Sequence, residues 1–452
     1  ILGVKENHDG SWNMTGLENA SKLKKDFWNA INDKKKVSIN LLMDKDVKVY
    51  EENGKVILVI YVPRAKREQK PVYINGNIFD GTFRRNWEGD YHCDRSEVLA
   101  MLRDQPEETA DMKILEDMPL DVLHEETIHA YRNRHITFRR EHVWERLEDN
   151  EYLERIGAAK ISAKDGKLHP TAAGLLMFGE EYKILYEFPE YFLDYREVLD
   201  PTIRWTDRLQ SSSGDWTGNL FDFFFRVYGK LVKDLKIPFK LEGITRIDDT
   251  PVHKALREAL ANCLVNTDFY FQRGIVIRKD VNSITMENPG NIRTGKEQML
   301  KGGISDPRNK ALMKMFNLIG IGERAGSGVP DIYSVWKQQG WEPPEVIEEY
   351  GPDRTILKLS FIKSADKKVL IKSADKKVLI KSADKKTVTK KTEQQLEDIL
   401  GKMDFNKEYK TSEIAKFIDV KETRARTLLK ELVKQGKIKA IGKNKGRRYI
   451  RK

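Results

Sequence analysis

Cysteine is nearly missing from this chain: Cys93 and Cys263 are the two in 452 residues. That scarcity excludes a disulfide framework and any cysteine-based zinc spacing, and a reducing, cytoplasmic setting is expected. No run of about 18 apolar residues occurs, so neither a membrane span nor a membrane partner is expected. The opening Ile1-Leu2-Gly3-Val4 lacks Met and reads as a strand entered part-way, which leads us to expect a native start upstream. No complete Walker A motif is present. Gly290 to Lys296 nearly spells one, but Glu297 follows where a Mg²⁺-binding hydroxyl belongs, so a turn leading into a helix is expected instead. His124 and His129 stand five apart rather than four, do not share a helix face, and are read as part of a solvated helix. Helicase motor motifs are not visible.

Charge is plentiful: 33% of residues are Asp, Glu, Lys or Arg, and the net charge is +11. It is unevenly spread. Residues 391–452 hold 18 Lys/Arg against 9 Asp/Glu and residues 363–390 hold 10 against 3, which leaves residues 1–362 mildly acidic. A strongly basic tail on an acidic body points to a polyanion partner for the tail. The length suggests about three domains.

We expect an α+β multidomain chain. Residues 1–103 show a helix from Leu17 to Ile31 and a nearly all-apolar run, Val56 to Val62, that reads as a buried strand. Arg64, Lys66, Arg67, Arg84 and Arg85 are a basic set that could meet phosphate or serve as a solvated face. Residues 104–200 read as a helical connector with a small αβ piece, including a helix opened by Thr171 as its cap. In residues 201–362, Asn219 to Leu231 is an aromatic-rich helix, expected to be core. Residues 363–390 carry KSADKK three times at a period of nine, joined by VLIK. This reads as a spacer with weak pairing between chains, and so as a route to a homo-oligomer.

The most informative stretch runs from His253 to Tyr333. Ala255, Leu256, Ala259, Leu260, Cys263 and Leu264 recur at helical spacing. Glu258, Asn262 and Asn266 line one edge of that helix, four apart. A carboxylate and two carboxamides beside an apolar arc need polar partners, which a metal–phosphate group would supply. Ile275–Arg278 and Ser283–Met286 read as a hairpin ending in the turn Glu287-Asn288-Pro289-Gly290. A helix over Lys310 to Leu318 precedes Gly320-Ile-Gly-Glu-Arg-Ala-Gly326-Ser-Gly328, whose glycines would let backbone N–H groups approach an anion.

The order of Glu-x-x-x-Asn helix, strand with turn, and Gly-rich lid resembles a divergent GHKL-type (Bergerat) ATP-binding fold. The segments RWTDRLQS, REALANCLVN, MENPG, SDPRN and GERAGSG resemble bacterial predicted transcriptional regulators, or RecG-like proteins, with a Schlafen/AlbA-like N-terminal domain. The resemblance implies an AlbA-like α/β domain followed by a GHKL-like α/β sandwich. It implies ATP or ADP with Mg²⁺ as cofactor, Glu258 orienting a water, Asn262 holding the metal, and Gly326 and Gly328 in a phosphate lid. Asn266, Asn288, Gly290 and Arg308 complete the expected nucleotide set. Asn288-Pro289-Gly290 departs from the adenine-reading D-x-G-x-G turn, so weak turnover is the expectation.

Residues 391–452 read as a winged helix-turn-helix, with Thr411 to Ile418 and Lys421 to Gln435 as its second and third helices and Ala425, Leu428, Leu429 and Leu432 inward. Thr423, Arg424, Thr427 and Lys430 would face duplex DNA, with Lys443, Lys445, Arg447 and Arg448 on the wing. The expected whole is a DNA-binding transcriptional regulator modulated by nucleotide. The alternative is a nuclease or helicase-like ATPase acting on foreign DNA, which a nuclease assay would distinguish.

Overall fold

The computed structural model describes residues 1–452 except 87, 88, 201, 234–239, 243, 244, 248, 249, 323–325, 364–394, 397, 406, 435, 442–446 and 452. It is a mixed α/β structure in two compact units, Ile1–Lys363 and Ser364–Lys452. Nearly all of the KSADKK repeats, Glu323 to Ala325 of the glycine-rich run, and Lys443 and Lys445 lie outside the described residues.

The first unit begins with three antiparallel ribbons: Val4–Glu6 with Trp12–Met14, Val47–Glu52 with Lys55–Ile60, and Phe83–Asn86 with Gly89–His92. The helices Ala20–Asn32 and Arg95–Asp104 accompany them. The apolar run 56–62 is not the buried strand expected: Leu58 is fully buried but Tyr61 and Val62 are exposed. A two-stranded ribbon has only one covered face, so it cannot bury an all-apolar strand on both sides.

Beyond residue 105 one hydrophobic core runs from Leu115 to Leu359. Its frame is a six-stranded sheet: β1 (Leu193–Val198), β2 (Asp207–Gln210), β3 (Ile275–Asp280), β4 (Ser283–Pro289), β5 (Glu345–Glu349) and β6 (Arg354–Ser360). The spatial order is β2-β1-β3-β4-β6-β5, with β1 and β3 parallel and every other neighbour antiparallel. The break expected at residue 200 is therefore not a break in the fold. It falls between two paired strands, because β1 supplies the central β3 with its partner.

Alternation marks the covered face: Ile275, Ile277, Ile284, Met286 and Asn288 are buried and their neighbours less so. Helices α1 (Leu220–Val232), α2 (Pro251–Val265), α3 (Lys296–Lys301), α4 (Lys310–Leu318) and α5 (Gly328–Gln338) follow in sequence. Helix α2 is the centre of the layer, packing on α1, α4, α5 and β4. The aromatic stripe of α1 is core as expected, with Phe221, Phe223 and Phe224 buried. Thr171 caps the Ala172–Phe178 helix by accepting from Gly174 N at 3.0 Å. His124 likewise caps the Glu125–Phe138 helix, and no group of three or more metal-ligating side chains occurs among the described residues. No helix among them is long and apolar enough to cross a membrane.

The second unit packs the helices Thr411–Phe417 and Glu422–Lys434 against a three-stranded sheet ordered Glu408–Tyr409, Arg448–Arg451, Ile438–Ile441. Ala425, Leu428, Leu429 and Leu432 all point inward. Lys410, not Thr411, is the cap residue: its backbone N–H donates to Glu413 Oε2 at 2.7 Å.

Candidate functional site

A cleft of about 160 Å³ opens between α2 on one side and β4 with β6 on the other. Helical spacing brings Glu258, Asn262 and Asn266 to it as one half-buried edge. Asn262 Nδ2 donates to Glu258 Oε1 at 3.1 Å, and Asn266 Nδ2 bonds back to the Asn262 carbonyl at 2.9 Å. With its nitrogen so committed, Asn262 turns out an Oδ1 that no N–H or O–H among the described residues reaches. A hard, uncharged oxygen beside a carboxylate suits Mg²⁺, which takes one or two protein oxygens and fills its other positions with phosphate and water.

The strand wall presents Met286, Asn288, Thr355 and Leu357. Asn288 is 6% exposed, and its Nδ2 is spent on the Pro289 carbonyl at 3.2 Å, so its Oδ1 remains as an acceptor. Thr355 stands directly across from Asn288 in the β4–β6 ladder and donates to the Gly290 carbonyl at 2.8 Å. Sequence reasoning missed Thr355. Its signal was the antiparallel register with Asn288, which becomes readable only once β6 is known to pair with β4. Cys263 also borders the cleft, and burial pushes its thiol up to about 12, leaving it unreactive at neutral pH.

The start of α5 closes one end. Gly326 and Gly328 line the cleft, and a Cβ placed on Gly328 would lie 2.1 Å from Glu258 Oε1. Glycine here leaves the Glu258 carboxylate its place; any larger residue would oblige that side chain to move. On the far side of Glu258 a second cavity of about 670 Å³ opens, lined among the described residues by Arg139, Lys254 and Arg257 together with Gly320, Gly322 and Gly328. The site thus has an inner chamber carrying carboxamides between apolar side chains, and an outer mouth where Arg139, Lys254 and Arg257 stand with Asp331, with Glu258 lining both.

Two expected residues are not in the cleft. Arg308, read from the sequence as a cation near phosphate, is buried behind the strand wall. Its Nε donates to the Asn266 carbonyl at 3.2 Å and its Nη2 to the Asn291 carbonyl at 3.1 Å, and it is ion-paired to Asp104. Burial works against its charge, yet Asp104 and then Asp268 hold its pKa above the ordinary value. Gly290 is likewise a turn residue behind the wall. Its φ of 97° requires glycine, its N–H donates to the Asp353 carbonyl at 2.9 Å, and Arg308 lies 3.1 Å from where a Cβ would stand.

Of the basic set of the first hundred residues, Arg67 and Arg84 are engaged within the fold, while Lys66 and Arg85 remain exposed. Arg84 pairs with Glu97 and with Asp353, the latter at 2.8 Å, and Arg67 donates to the Asp104 and Gln105 carbonyls at 2.6 and 2.9 Å. Lys70 is pushed down to about 8, by burial first and by Arg64 second.

In the second unit Thr423, Thr427 and Lys430 lie exposed on the Glu422–Lys434 helix, and Arg447 and Arg448 are exposed at the start of the central strand. Arg424 is half-buried and donates to Gln395 Oε1 at 3.1 Å. Arg448 lies 3.4 Å from Glu408.

Residues 273–355 match the family described as "Putative ATP-dependent DNA helicase recG C-terminal". The chain therefore carries an ATPase-type domain similar to that family. The matched span holds β3, β4, β5, the first two residues of β6, and Gly326 and Gly328, while Leu357 lies just beyond it and α2 with Glu258 and Asn262 just before it. Residues 99–194 match a domain of unknown function, DUF8451. No curated protein matches the chain. Among solved structures, the DIP2311 protein from Corynebacterium diphtheriae is similar at 16% identity, over 100% of this chain and 82% of that one, with a TM-score of 0.44.

Proposed function

We propose that this chain is a DNA-binding regulator whose nucleotide cleft modulates how its C-terminal unit engages duplex DNA. The observation that carries the nucleotide part is the Glu258–Asn262 pair facing an apolar chamber, next to a segment similar to an ATPase family. In this reading Asn262 Oδ1 would hold Mg²⁺ for ATP or ADP. The ion, when bound, neutralises phosphate charge. Asn288 Oδ1 accepts from an exocyclic amine of the base, and Met286, Leu357 and Ile332 pack against its ring. Lys254 and Arg257 would meet the phosphates, and Glu258 would accept a hydrogen bond from a water and orient it. A carboxamide stands where the GHKL pattern has the base-reading carboxylate, so discrimination between bases should be weak.

The DNA part is supported by the basic excess of residues 391–452 and by the exposed Thr423, Thr427 and Lys430 on a helix packed over a small sheet, which we read as a winged helix-turn-helix in which that helix enters the major groove. Arg447 and Arg448, with Lys443 and Lys445, would contact phosphate. Calorimetry with Mg-ATP and Mg-ADP tests the first part: binding in the micromolar range is expected, and no heat with either would overturn it. Retention of a duplex by the protein, measured with and without nucleotide, tests the second: salt-sensitive retention that shifts with nucleotide is expected, and none at low salt would overturn it.

A further inference from the structure

The first hundred residues reach the frame of the cleft without entering it. Arg64 Nη2 donates to the Ile292 carbonyl at 3.1 Å. Arg84 holds Asp353, which accepts from Asn291 Nδ2 at 3.0 Å. Arg67 stands 3.5 Å from Asp306 and ties down the end of the Arg95–Asp104 helix. Ile292, Asn291 and Asp306 line the cleft, whereas Arg67, Arg84, Asp104 and Arg308 do not.

Arg308 is the joint between these parts. One guanidinium spans both walls, bonding to Asn266 at the end of α2 and to Asn291 just past β4. Its charge is balanced chiefly by Asp104, a carboxylate supplied 204 residues earlier in the chain, with Asp268 more distant at 3.9 Å. Removing Asp104 would leave a buried cation without its main partner, and such a group moves or draws in water rather than staying as it is. Either response would change the separation of the walls that carry Asn262 and Asn288.

We propose that Asp104 and Arg308 are positioning residues for the ligand cleft, so that docking of the N-terminal region and occupancy of the cleft are coupled. This rests on the nucleotide reading above. Coupling of this kind is reciprocal: whatever the docked region does for ligand affinity, bound ligand does for docking.

The test uses the full chain, with Mg-ATP as probe. Affinity is measured by calorimetry for the unmodified protein, Asp104→Asn and Arg67→Ala. Hydrogen exchange of residues 64–70 and 95–106 is followed with and without Mg-ATP. Both variants should keep the far-ultraviolet spectrum of the parent and bind roughly 5- to 100-fold more weakly, the usual range of site–site coupling. Mg-ATP should slow exchange over 95–106 by roughly fivefold or more in the parent, and this protection should vanish in Asp104→Asn. Asn262→Ala should lose the ATP-induced protection while exchanging like the parent when nucleotide-free. A purely structural role for Asp104 would lower the melting temperature and leave the ATP-induced protection in place. If the parent binds Mg-ATP but both variants bind as tightly, or if exchange over 95–106 does not respond, the coupling is overturned and the nucleotide reading stands. If the parent gives no binding, both fall. If Asp104→Asn unfolds, Arg67→Ala decides, since it frees the end of the helix that carries Asp104 while keeping both members of the buried ion pair.

Discussion

Gly328→Ala should destabilise the first unit, and Glu258→Ala should cancel the effect. A methyl group at Gly328 would sit 2.1 Å from Glu258 Oε1, 2.7 Å from Cδ and 2.9 Å from Cγ. The carboxylate must therefore retreat by more than about 1 Å to regain ordinary van der Waals separation. That retreat breaks the hydrogen bond from Asn262 Nδ2, and hydrogen bonds to charged groups contribute about 1.5–3 kcal/mol. Alanine offsets part of this, since it is favoured over glycine in a helix by up to about 1 kcal/mol. The expected net loss is about 1–2 kcal/mol. With Glu258 already truncated to alanine the clash is gone, and Gly328→Ala should be neutral or stabilising by up to about 1 kcal/mol. The coupling energy of the double-mutant cycle is then about 2 kcal/mol, within the range seen for residues in contact. Urea unfolding followed by tryptophan fluorescence isolates the relevant unit, because all eight tryptophans lie between Trp12 and Trp341. Additive single and double variants, with no coupling beyond about 0.5 kcal/mol, would refute the contact between the lid glycine and the helix carboxylate.

Other perturbations have equally definite outcomes. Asn262→Ala should weaken Mg-ATP binding and lower the melting temperature by the few degrees that loss of its hydrogen bond to Glu258 implies, whereas Glu258→Gln should keep binding and abolish any hydrolysis, measured as phosphate release. His135 is 1% exposed, with Nδ1 3.0 Å from the Tyr152 hydroxyl and no hydrogen-bond partner for Nε2 among the described residues. Burial first, then His142 and Arg139, lowers its pKa from 6.5 to about 4. A folded state that resists protonation is fully stabilised above pH 6.5 and loses that advantage as pH falls toward 4, with a slope below the limit of about 1.4 kcal/mol per pH unit for one proton. In His135→Gln the melting temperature should fall less over that window, and parallel curves would count against the assignment. Neutralising Lys443, Lys445 and Arg447 should weaken binding to all duplexes alike and flatten the salt slope by up to ~3 units. Arg424→Ala should instead lower the stability of the second unit, because its guanidinium is engaged with Gln395; a variant of unchanged stability that loses one preferred base would contradict this.

What could be read from the sequence was what is local. The helix carrying Glu258, Asn262 and Asn266 announced itself because its apolar positions recur every three to four residues. The β3–β4 hairpin is closed by two residues and ends in an Asn-Pro-Gly turn, signals that act over a few positions. The third helix of the C-terminal unit showed its four inward residues for the same reason. What stayed hidden was non-local. β1 looked like part of a connector because its partner β3 lies about eighty positions further on, and pairing at that distance leaves no periodic trace. Arg308 looked like a free cation because Asp104 is far away in sequence, and Arg64, Arg67 and Arg84 looked like either a phosphate-meeting or a solvated face for the same reason. A charged side chain's partner is set by tertiary structure alone, so charge patterning finds tails and helix pairs but not seams.

The strand order also bears on how the protein is made. β6, the last strand of the sheet, lies between β4 and β5 rather than at the edge, so until residues 354–360 have been synthesised β5 has no neighbour and β4 has an open side. The cleft loses its Thr355 and Leu357 wall for just as long. A growing chain that has passed α2 and the lid still lacks a finished pocket, and the apolar face of β4 waits while the ribosome adds the remaining residues at roughly 5–20 per second. Ligand capture thus becomes possible only near the end of synthesis of the first unit. A chain stalled or cut before residue 354 should present that open edge to chaperones and proteases rather than persist as a smaller nucleotide-binding protein.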